Sequence, residues 1–527
     1  MKHVRILALT LMAAALGACA VGPNYHTPKV ATPPQFAADT SNGSATSDGT
    51  RSGDGATSGI PPEVRAAAAV DFAAWWQALK DPELDSLIKR AILGNPDVII
   101  ALDRLQAART YEAALVGSVL PEAEAAGGGG RGTGSDLARG RAPQSQISAT
   151  NTTGIQHINE VGGFDAMWQL DIFGKYRREI EAARYDMEAL RAARNSVLVS
   201  VIADVARAYV DLRGLQVRAS VLAQAIGTLR ESQRIVSIRY QRGITNELDV
   251  TLATRELATL EAQAAPLAAQ VQAAQYTIAV LLGAYPEDLV KELTPSAMVP
   301  GVPGAVSTGL PVELLRRRPD VQQAERQLAA ATARIGVATA DLFPSLAVSG
   351  SIGVQRQQAP GLPTVGAHIW SLGPAAVWPL LDFGQLDAQV EIADLQTRAL
   401  LVNYKRTIQQ AVREVDTDMG LYGAQQVSVG KLETALLASQ RAVTLANERY
   451  ERGLTDFLNV VDAEREEYDI EEQYTAAQVA AAEEFVELFR SLGGGWQKYQ
   501  SLPPIHRPEP AIIAVFQRTL SRNDPLK

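Results

Sequence analysis

The chain has 527 residues, a formal net charge of −9, 46% hydrophobic and 20% charged residues, and a single cysteine. This length is enough for a large core or for two to four ordinary domains. The acidic balance, with no basic cluster, excludes a nucleic-acid role, and the lack of any apolar window of about 18 residues beyond the N-terminus excludes a bundle of membrane-spanning helices. A transmembrane β-barrel stays open, because its short alternating strands leave only a weak signal.

Lys2 and Arg5 precede an apolar stretch at residues 6–16, and Leu16-Gly17-Ala18-Cys19 follows. A basic start, an apolar run and small residues before a cut make residues 1–18 a secretory signal. The lone cysteine lies at this boundary, so no disulfide framework is available. Residues 19–62 lack periodicity and include a Ser/Gly/Thr/Asp tract at 41–59, which predicts a flexible tether outside the fold. Residues 63–94 carry Trp75, Trp76, Leu79, Leu84, Leu87, Ile88 and Ile92, a short helical region closed by Gly94-Asn95-Pro96.

From residue 95 the sequence is a duplication. Asn95-Pro96-Asp97-Val98 matches Arg318-Pro319-Asp320-Val321 at an offset of 223, as Leu120-Pro121 matches Phe343-Pro344. Further on the offset is 210. Phe173-Gly174 answers to Phe383-Gly384, and Leu282-Gly283 to Leu492-Gly493. Between these pairs, Tyr240-Gln241-Arg242-Gly243-Ile244-Thr245 answers to Tyr450-Glu451-Arg452-Gly453-Leu454-Thr455. The thirteen extra residues of the first copy belong in an exposed loop. The first copy spans 95–283 and the second 318–493, with a connector at 284–317 and a tail at 494–527.

Each copy reads helix, two strands, long helix, tip, helix. In residues 345–354, Leu346, Val348, Ile352 and Val354 fall on one face and Ser345, Ser349 and Ser351 on the other. Residues 164–171 alternate likewise, and further strands near 119–131 and 369–380 make four per chain. This pattern fits a tilted membrane strand and equally the half-buried strand of a soluble sheet. Four strands cannot close a barrel, and an open edge cannot sit in lipid. The membrane reading therefore requires several chains to share one barrel.

Residues 174–240 hold no proline, and as one helix of 67 residues they would span about 100 Å. Ile180, Met187, Arg194, Val201, Ala208, Leu215, Leu222, Leu229 and Val236 recur every seven positions, apolar except for Arg194. A second seam runs beside them, so the helix packs in coiled-coil fashion against more than one neighbour. The shorter helices at 97–120 and 246–282, stacked end to end, match its length.

Chemistry is sparse. Gly127, Gly129 and Gly132 satisfy G-x-G-x-x-G, but no dinucleotide-type helix follows, and a flexible surface loop is expected there. No Walker loop or H-E-x-x-H motif occurs, and five scattered histidines with one cysteine offer no metal cluster. An enzyme is not expected, and neither is a metal or a diffusible cofactor.

Taken together these stretches resemble the outer-membrane efflux channels of the TolC/OprM type, in their lipidated NodT branch. The resemblance rests on Cys19-Ala20-Val21-Gly22-Pro23-Asn24-Tyr25, on Trp75-Trp76 with Asp81-Pro82-Glu83-Leu84, and on Leu315-Arg316-Arg317-Arg318-Pro319-Asp320. Ile335-Gly336 and Leu342-Phe343-Pro344-Ser345-Leu346 extend it, and it covers nearly the whole mature chain. The implied fold is mainly α with a membrane β-barrel part. Three chains of four strands each form one twelve-stranded barrel, continuous with a long periplasmic α-helical coiled-coil barrel. Residues 63–94, the connector and the tail form an equatorial belt.

The implied role is the exit duct of a tripartite efflux pump in the outer membrane of a Gram-negative bacterium. Its partners are a periplasmic adaptor and an inner-membrane transporter. Cys19 matches the lipobox cysteine, implying N-acyl and S-diacylglycerol chains as an anchor in outer-membrane lipid. Leu458, Asp462 and Arg465 share one helix face and match constriction residues, while Asp249 matches an acidic tip position. Threefold symmetry would turn each into a ring, although Leu252 answers to Asp462 and Asn459 to Asp249, so the charged rings of the two copies differ. Tyr240, Arg242, Gly243, Tyr450, Arg452 and Gly453 mark the hairpin tips where an adaptor would dock. Plainer readings stand beside these. The tip acids can cap helix starts, the tyrosines can close hairpins by packing, and the glycines fit left-handed C-caps. The alternatives to an efflux duct are a channel for type I protein secretion and a coiled-coil adaptor lipoprotein.

Cys19→Ser is expected to abolish metabolic labelling of the protein by radioactive palmitate; label retained in the variant would remove the lipobox reading.

Overall fold

The order of elements follows from the duplication. In the computed structural model, which describes residues 20–37, 70–133, 156–304, 306, 313, 316–358 and 363–500, regular structure opens with a 3-10 segment, Phe72–Leu79, and α1, Pro82–Gly94. The first copy runs α2 (Pro96–Ser118), β1 (Glu122–Thr133), β2 (Gln156–Leu170), α3 (Lys175–Gln241) and α4 (Glu247–Leu281). After α5 (Pro286–Leu293) the second copy repeats it: α6 (Pro319–Ala340), β3 (Ser345–Gln358), β4 (Val365–Val377), α7 (Gln385–Glu451) and α8 (Phe457–Ser491). The hairpins keep the repeat to the residue: α3 and α7 have 67 residues each, and α4 and α8 have 35 each. No described helix is long and apolar enough to cross a membrane.

The chain divides into two compact units that cut across the repeats. One comprises Met1–Val30, Ala107–Arg191 and Gln323–Arg406; the other comprises Ala31–Gln106, Ala192–Gln322 and Thr407–Lys527. Each draws on both copies.

The first unit holds the sheet, in the order β1-β2-β3-β4, antiparallel throughout. The register aligns side chains of one character on each face. Ala125, Phe164, Ile352 and Trp370 form one row across the strands, and Glu124, Asp165, Ser351 and Ser371 form the next. Phe164, Ile352 and Trp370 are 63%, 65% and 74% exposed. On the other face the hydroxyls of Ser351 and Ser371 lie 2.8 Å apart. Strands of 12 to 15 residues exceed the roughly 9–11 that a tilted strand needs to cross a bilayer.

Two expectations are corrected in this unit. Gly127, Gly129 and Gly132 are not a surface loop; they pair with Gly162, Glu160 and His157 along β1. A glycine run has no side chains to alternate, yet its backbone donates and accepts like any other, and β2 supplies the ladder. The start of the tether is also not free. The N–H of Val21 donates to the Phe173 carbonyl (3.1 Å), and the Arg178 guanidinium donates to the Val21 and Gly22 carbonyls and to Asn24 Oδ1. Tyr25 donates its hydroxyl to Glu325 (3.2 Å). An extended strap binds through single side chains and its own backbone, which leaves no periodicity to read. The tract at 41–59 lies outside the described residues.

The second unit is built on an aromatic core. Trp75 stacks on Phe489 at 5.5 Å with an 11° tilt, and Phe485 meets both. Val201, Ile202 and Tyr209 of α3 are buried in the same cluster, as is Phe36. Arg194, the exception in the heptad seam, is buried where the segment after α8 crosses it, donating to the carbonyls of Tyr499 and Gln500.

The stacking of short helices has an atomic basis. Asn95 donates from Nδ2 to the Leu281 carbonyl at the end of α4 (2.8 Å), and its Oδ1 accepts the N–H groups of Asp97 and Val98 at the start of α2. One side chain thus satisfies the C-terminus of one helix and the N-terminus of the next. Arg318 stands at the same place in the second copy. It donates to the Ser491 carbonyl (2.8 Å) and pairs with Asp320 and Glu414.

Asn95→Ala removes both caps and is expected to destabilise the protein by about 2 kcal/mol, read as a lower thermal midpoint by circular dichroism; an unchanged midpoint would show that the junction does not depend on this side chain.

Candidate functional site

The hairpin tips are built from one motif used twice. Gly243 and Gly453 take φ of +73° and +70°, a region that favours glycine. Around each, the N–H after the glycine bonds back to the carbonyl of Arg239 or Arg449 (2.9 Å), and the glycine N–H bonds to Tyr240 or Tyr450 (2.8 and 3.0 Å). This is a Schellman stop. It turns the chain directly into the next helix, where Asn246 caps α4 by accepting the Asp249 N–H.

Identical turns end in different surroundings. Tyr450 is 9% exposed and packs with Val236, Ala253, Phe457, Val460 and Val461 in a small core that joins the two hairpins of one chain. The Arg239 guanidinium lies 4.5 Å over its ring. Tyr240 is 44% exposed. Packing therefore accounts for Tyr450 and not for Tyr240. Arg242 and Arg452 are both exposed.

Leu458, Asp462 and Arg465 stand together on the exposed face of α8, opposite the buried Phe457, Val460 and Val461. Arg465 reaches back to Asp462 with an N–O distance of 3.1 Å. A ring built by repeating this face is consequently one of Asp–Arg pairs rather than bare carboxylates. An exposed pair at this spacing contributes only about 0.3–0.5 kcal/mol, so it opens readily. Asp249 is half-buried at the third position of α4 and accepts a hydrogen bond from the Thr245 hydroxyl. Its counterpart Asn459 bonds Thr455 (2.7 Å), and both positions serve the turn.

At the sheet end, Cys19 lies outside the described residues. Its neighbour Ala20 lies against Gly174, between β2 and α3. Trp168 and Trp378, counterparts at the 210 offset, each donate the indole N–H to the carbonyl at the end of the preceding short helix, Val119 (3.0 Å) and Leu342 (3.1 Å). Both are exposed. Amphipathic aromatic rings at this level suit a membrane interface. Their identity across the repeat was the available signal.

A model of the outer membrane efflux protein family matches residues 87–284 and 310–494. Nodulation protein T of Rhizobium leguminosarum bv. viciae is 28% identical over 494 residues, covering 94% of both chains. Outer membrane protein OprJ of Pseudomonas aeruginosa is 28% identical over 498 residues, covering 94% of this chain and 97% of its own. Among solved structures, the outer-membrane channel OprN superposes with a TM-score of 0.76 at 33% identity, over 91% of this chain and all of the other. The open state of the Neisseria gonorrhoeae MtrE outer membrane channel gives 0.71 at 26% identity, over 91% and 99%.

Behind the exposed face of α8, Glu464 points inward. Its Oε1 accepts the Ser232 hydroxyl of α3 (2.9 Å), while Oε2 is buried with no protein partner beside a cavity of about 60 Å3. Burial pushes this carboxyl above the usual glutamate range and Glu467 adds to the effect, while Ser232 opposes it. A raised pKa means that the packed form is favoured protonated. That stability is full below about 4.3, the ordinary glutamate value, and is lost as pH rises through the raised value. Glu464→Gln is expected to raise the thermal midpoint at pH 7, by the equivalent of about 1 kcal/mol, and to leave it unchanged at pH 4. An equal effect at both pH values would show that the carboxylate charge is not the cause.

Proposed function

The chain belongs to the outer membrane efflux protein family, and from that premise we propose that three copies form the outer-membrane exit duct of a tripartite efflux pump. The carrying observation is the four-stranded sheet, with an exposed apolar face and with the outer edges of β1 and β4 unpaired among the described residues of the chain. Unpaired edges cannot lie in hydrocarbon, so the edges must pair with other copies. Two chains would give eight strands, a barrel that its own side chains fill. Three give twelve, the smallest shared barrel with a lumen. The face of Phe164, Ile352 and Trp370 then meets lipid, and the face of Asp165, Ser351 and Ser371 meets the solute path.

The strap at residues 20–30 supports an acyl anchor on Cys19. Arg178 and the Phe173 carbonyl hold the strap where β2 gives way to α3, which sets the lipid at the edge of the barrel. Several acyl chains, each methylene contributing about 0.8 kcal/mol, make a firm anchor. The hairpin tips lie at the opposite ends of α3 and α7. There Leu458 and the Asp462–Arg465 pairs form the constriction, while Tyr240, Arg242 and Arg452 present an exposed rim to a periplasmic adaptor. The duct does no chemistry; the inner-membrane transporter selects the solute and supplies the work.

Purified protein in planar bilayers is expected to give a discrete cation-preferring conductance, and Asp462→Ala to change its size or its block by divalent cations. No conductance at all from folded protein would contradict the duct, while an unchanged record in the variant would remove Asp462 from the constriction.

A further inference from the structure

The buried face of α8 follows steps of four and three residues through Phe457, Val461, Glu464, Tyr468, Glu471 and Thr475. Phe457, Val461, Tyr468 and Thr475 are buried, as a coiled-coil seam requires, yet two of the six positions hold glutamate. Glu467 stands one turn from both, on the same side. These carboxyls belong to the second copy. At the 210 offset the first copy has Thr254 for Glu464 and Leu257 for Glu467. Only Glu261 answers to Glu471, and it is paired with Arg230 at 2.6 Å.

Glu464, Glu467 and Glu471 line the cavity of about 60 Å3, which α3 bounds with Gln224 and Thr228 and α4 with Glu256 and Leu260. The cations of these three helices are engaged elsewhere. Arg218 of α3 pairs with Glu472 (2.8 Å), Arg230 with Glu261, Arg255 of α4 with Glu256 (3.5 Å), and Arg465 with Asp462 (3.1 Å). Burial raises the carboxyls of Glu464, Glu467 and Glu471 above the usual range; Glu467 adds to the effect on both neighbours, and Glu472 on Glu471. No cation offsets it at any of the three. A seam of this kind is held most firmly below about pH 4.3, the ordinary glutamate value. The hold is lost as pH rises through the raised values, because the ionised form cannot stay buried without a partner.

We propose that Glu464, Glu467 and Glu471 are a proton-operated catch on the second hairpin. Protonated in acid, they hold α8 against α3 and α4; ionised toward neutral pH, they release its tip. The opposite face of the same helix turns carries Leu458, Asp462 and Arg465, so what fixes the buried face fixes these residues too. The proposal rests on the reading of the protein as a duct with its constriction on α8. That constriction then has one fixed bore in acid and an adjustable one near neutrality.

Amide hydrogen exchange on the full-length protein in detergent reads the catch independently of conduction. After correction for the intrinsic pH dependence of exchange, protection over residues 457–471 is expected to fall about tenfold from about pH 4 to about pH 7, the change carried by a tenfold difference in proton affinity at one carboxyl. With Glu464→Gln, Glu467→Gln and Glu471→Gln together, protection is expected to stay at the acid level at both pH values. Glu466→Gln, at an exposed position, is expected to keep the full fall. Should the triple variant not fold, Glu464→Gln alone is expected to shrink the fall. No fall in the unmodified protein, or the same fall in the glutamine variants, would overturn the catch. Single-channel records taken beside it are expected to be steady in acid and to fluctuate between levels near neutrality, and to be steady at both in the triple variant. Equally steady records from the unmodified protein at both pH values would overturn the link from catch to constriction. Folded protein that conducts at neither pH would overturn the duct itself, and leaves the exchange result to decide the catch.

Discussion

The backbone at the two outer edges of the sheet is the constraint on which the rest depends. Every N–H and C=O in hydrocarbon needs a partner, and among the described residues β1 and β4 each leave one row without one inside the chain. The other features answer that need. The apolar row of Phe164, Ile352 and Trp370 requires the sheet to be where water is absent. The two tryptophans tie strand ends to the preceding short helices. The strap of residues 20–30 is held where β2 gives way to α3. The long helices are each about 100 Å, and they can be this long because paired seams, not helix propensity, stabilise them.

Duplication makes the architecture cheap to encode, and departures from it carry the function. Both tips use the same Schellman stop, yet Tyr450 is buried under Arg239 while Tyr240 is left exposed. Both helical breaks have a side chain spanning two helix ends, but Asn95 does so as a neutral cap whereas Arg318 adds a tie to Glu414 on α7. Asp462 has no acidic counterpart in the first copy. Its charge is partly balanced by Arg465.

Much of this was legible in the sequence because it is periodic. The equal lengths of α3 and α7, the tip glycines and the alternation at β3 are all visible as spacing. The remainder was hidden for identifiable reasons. A strand near 119–131 was expected, but its glycines at 127–132 also read as a loop because glycine shows no faces, and the register with β2 decides between the two. The strap reads as tether because its order comes from Arg178 and Glu325, more than 150 residues away in the chain. Arg194 breaks the heptad in the sequence and is explained only by carbonyls that reach it from Tyr499 and Gln500. At the tip, spacing put Leu458, Asp462 and Arg465 on one face, where the Asp462–Arg465 pair is local to the helix, but the burial of Glu464 behind them depends on tertiary packing.

The central claim is that the sheet of one chain is an incomplete part of a shared barrel. Native mass spectrometry of the protein released from lipid nanodiscs tests it most directly. The account predicts a single species at three times the mass of the acylated mature chain, with its β-sheet signal lost when the assembly is dissociated by heat. A monomer that keeps the full β-sheet signal in lipid would contradict it.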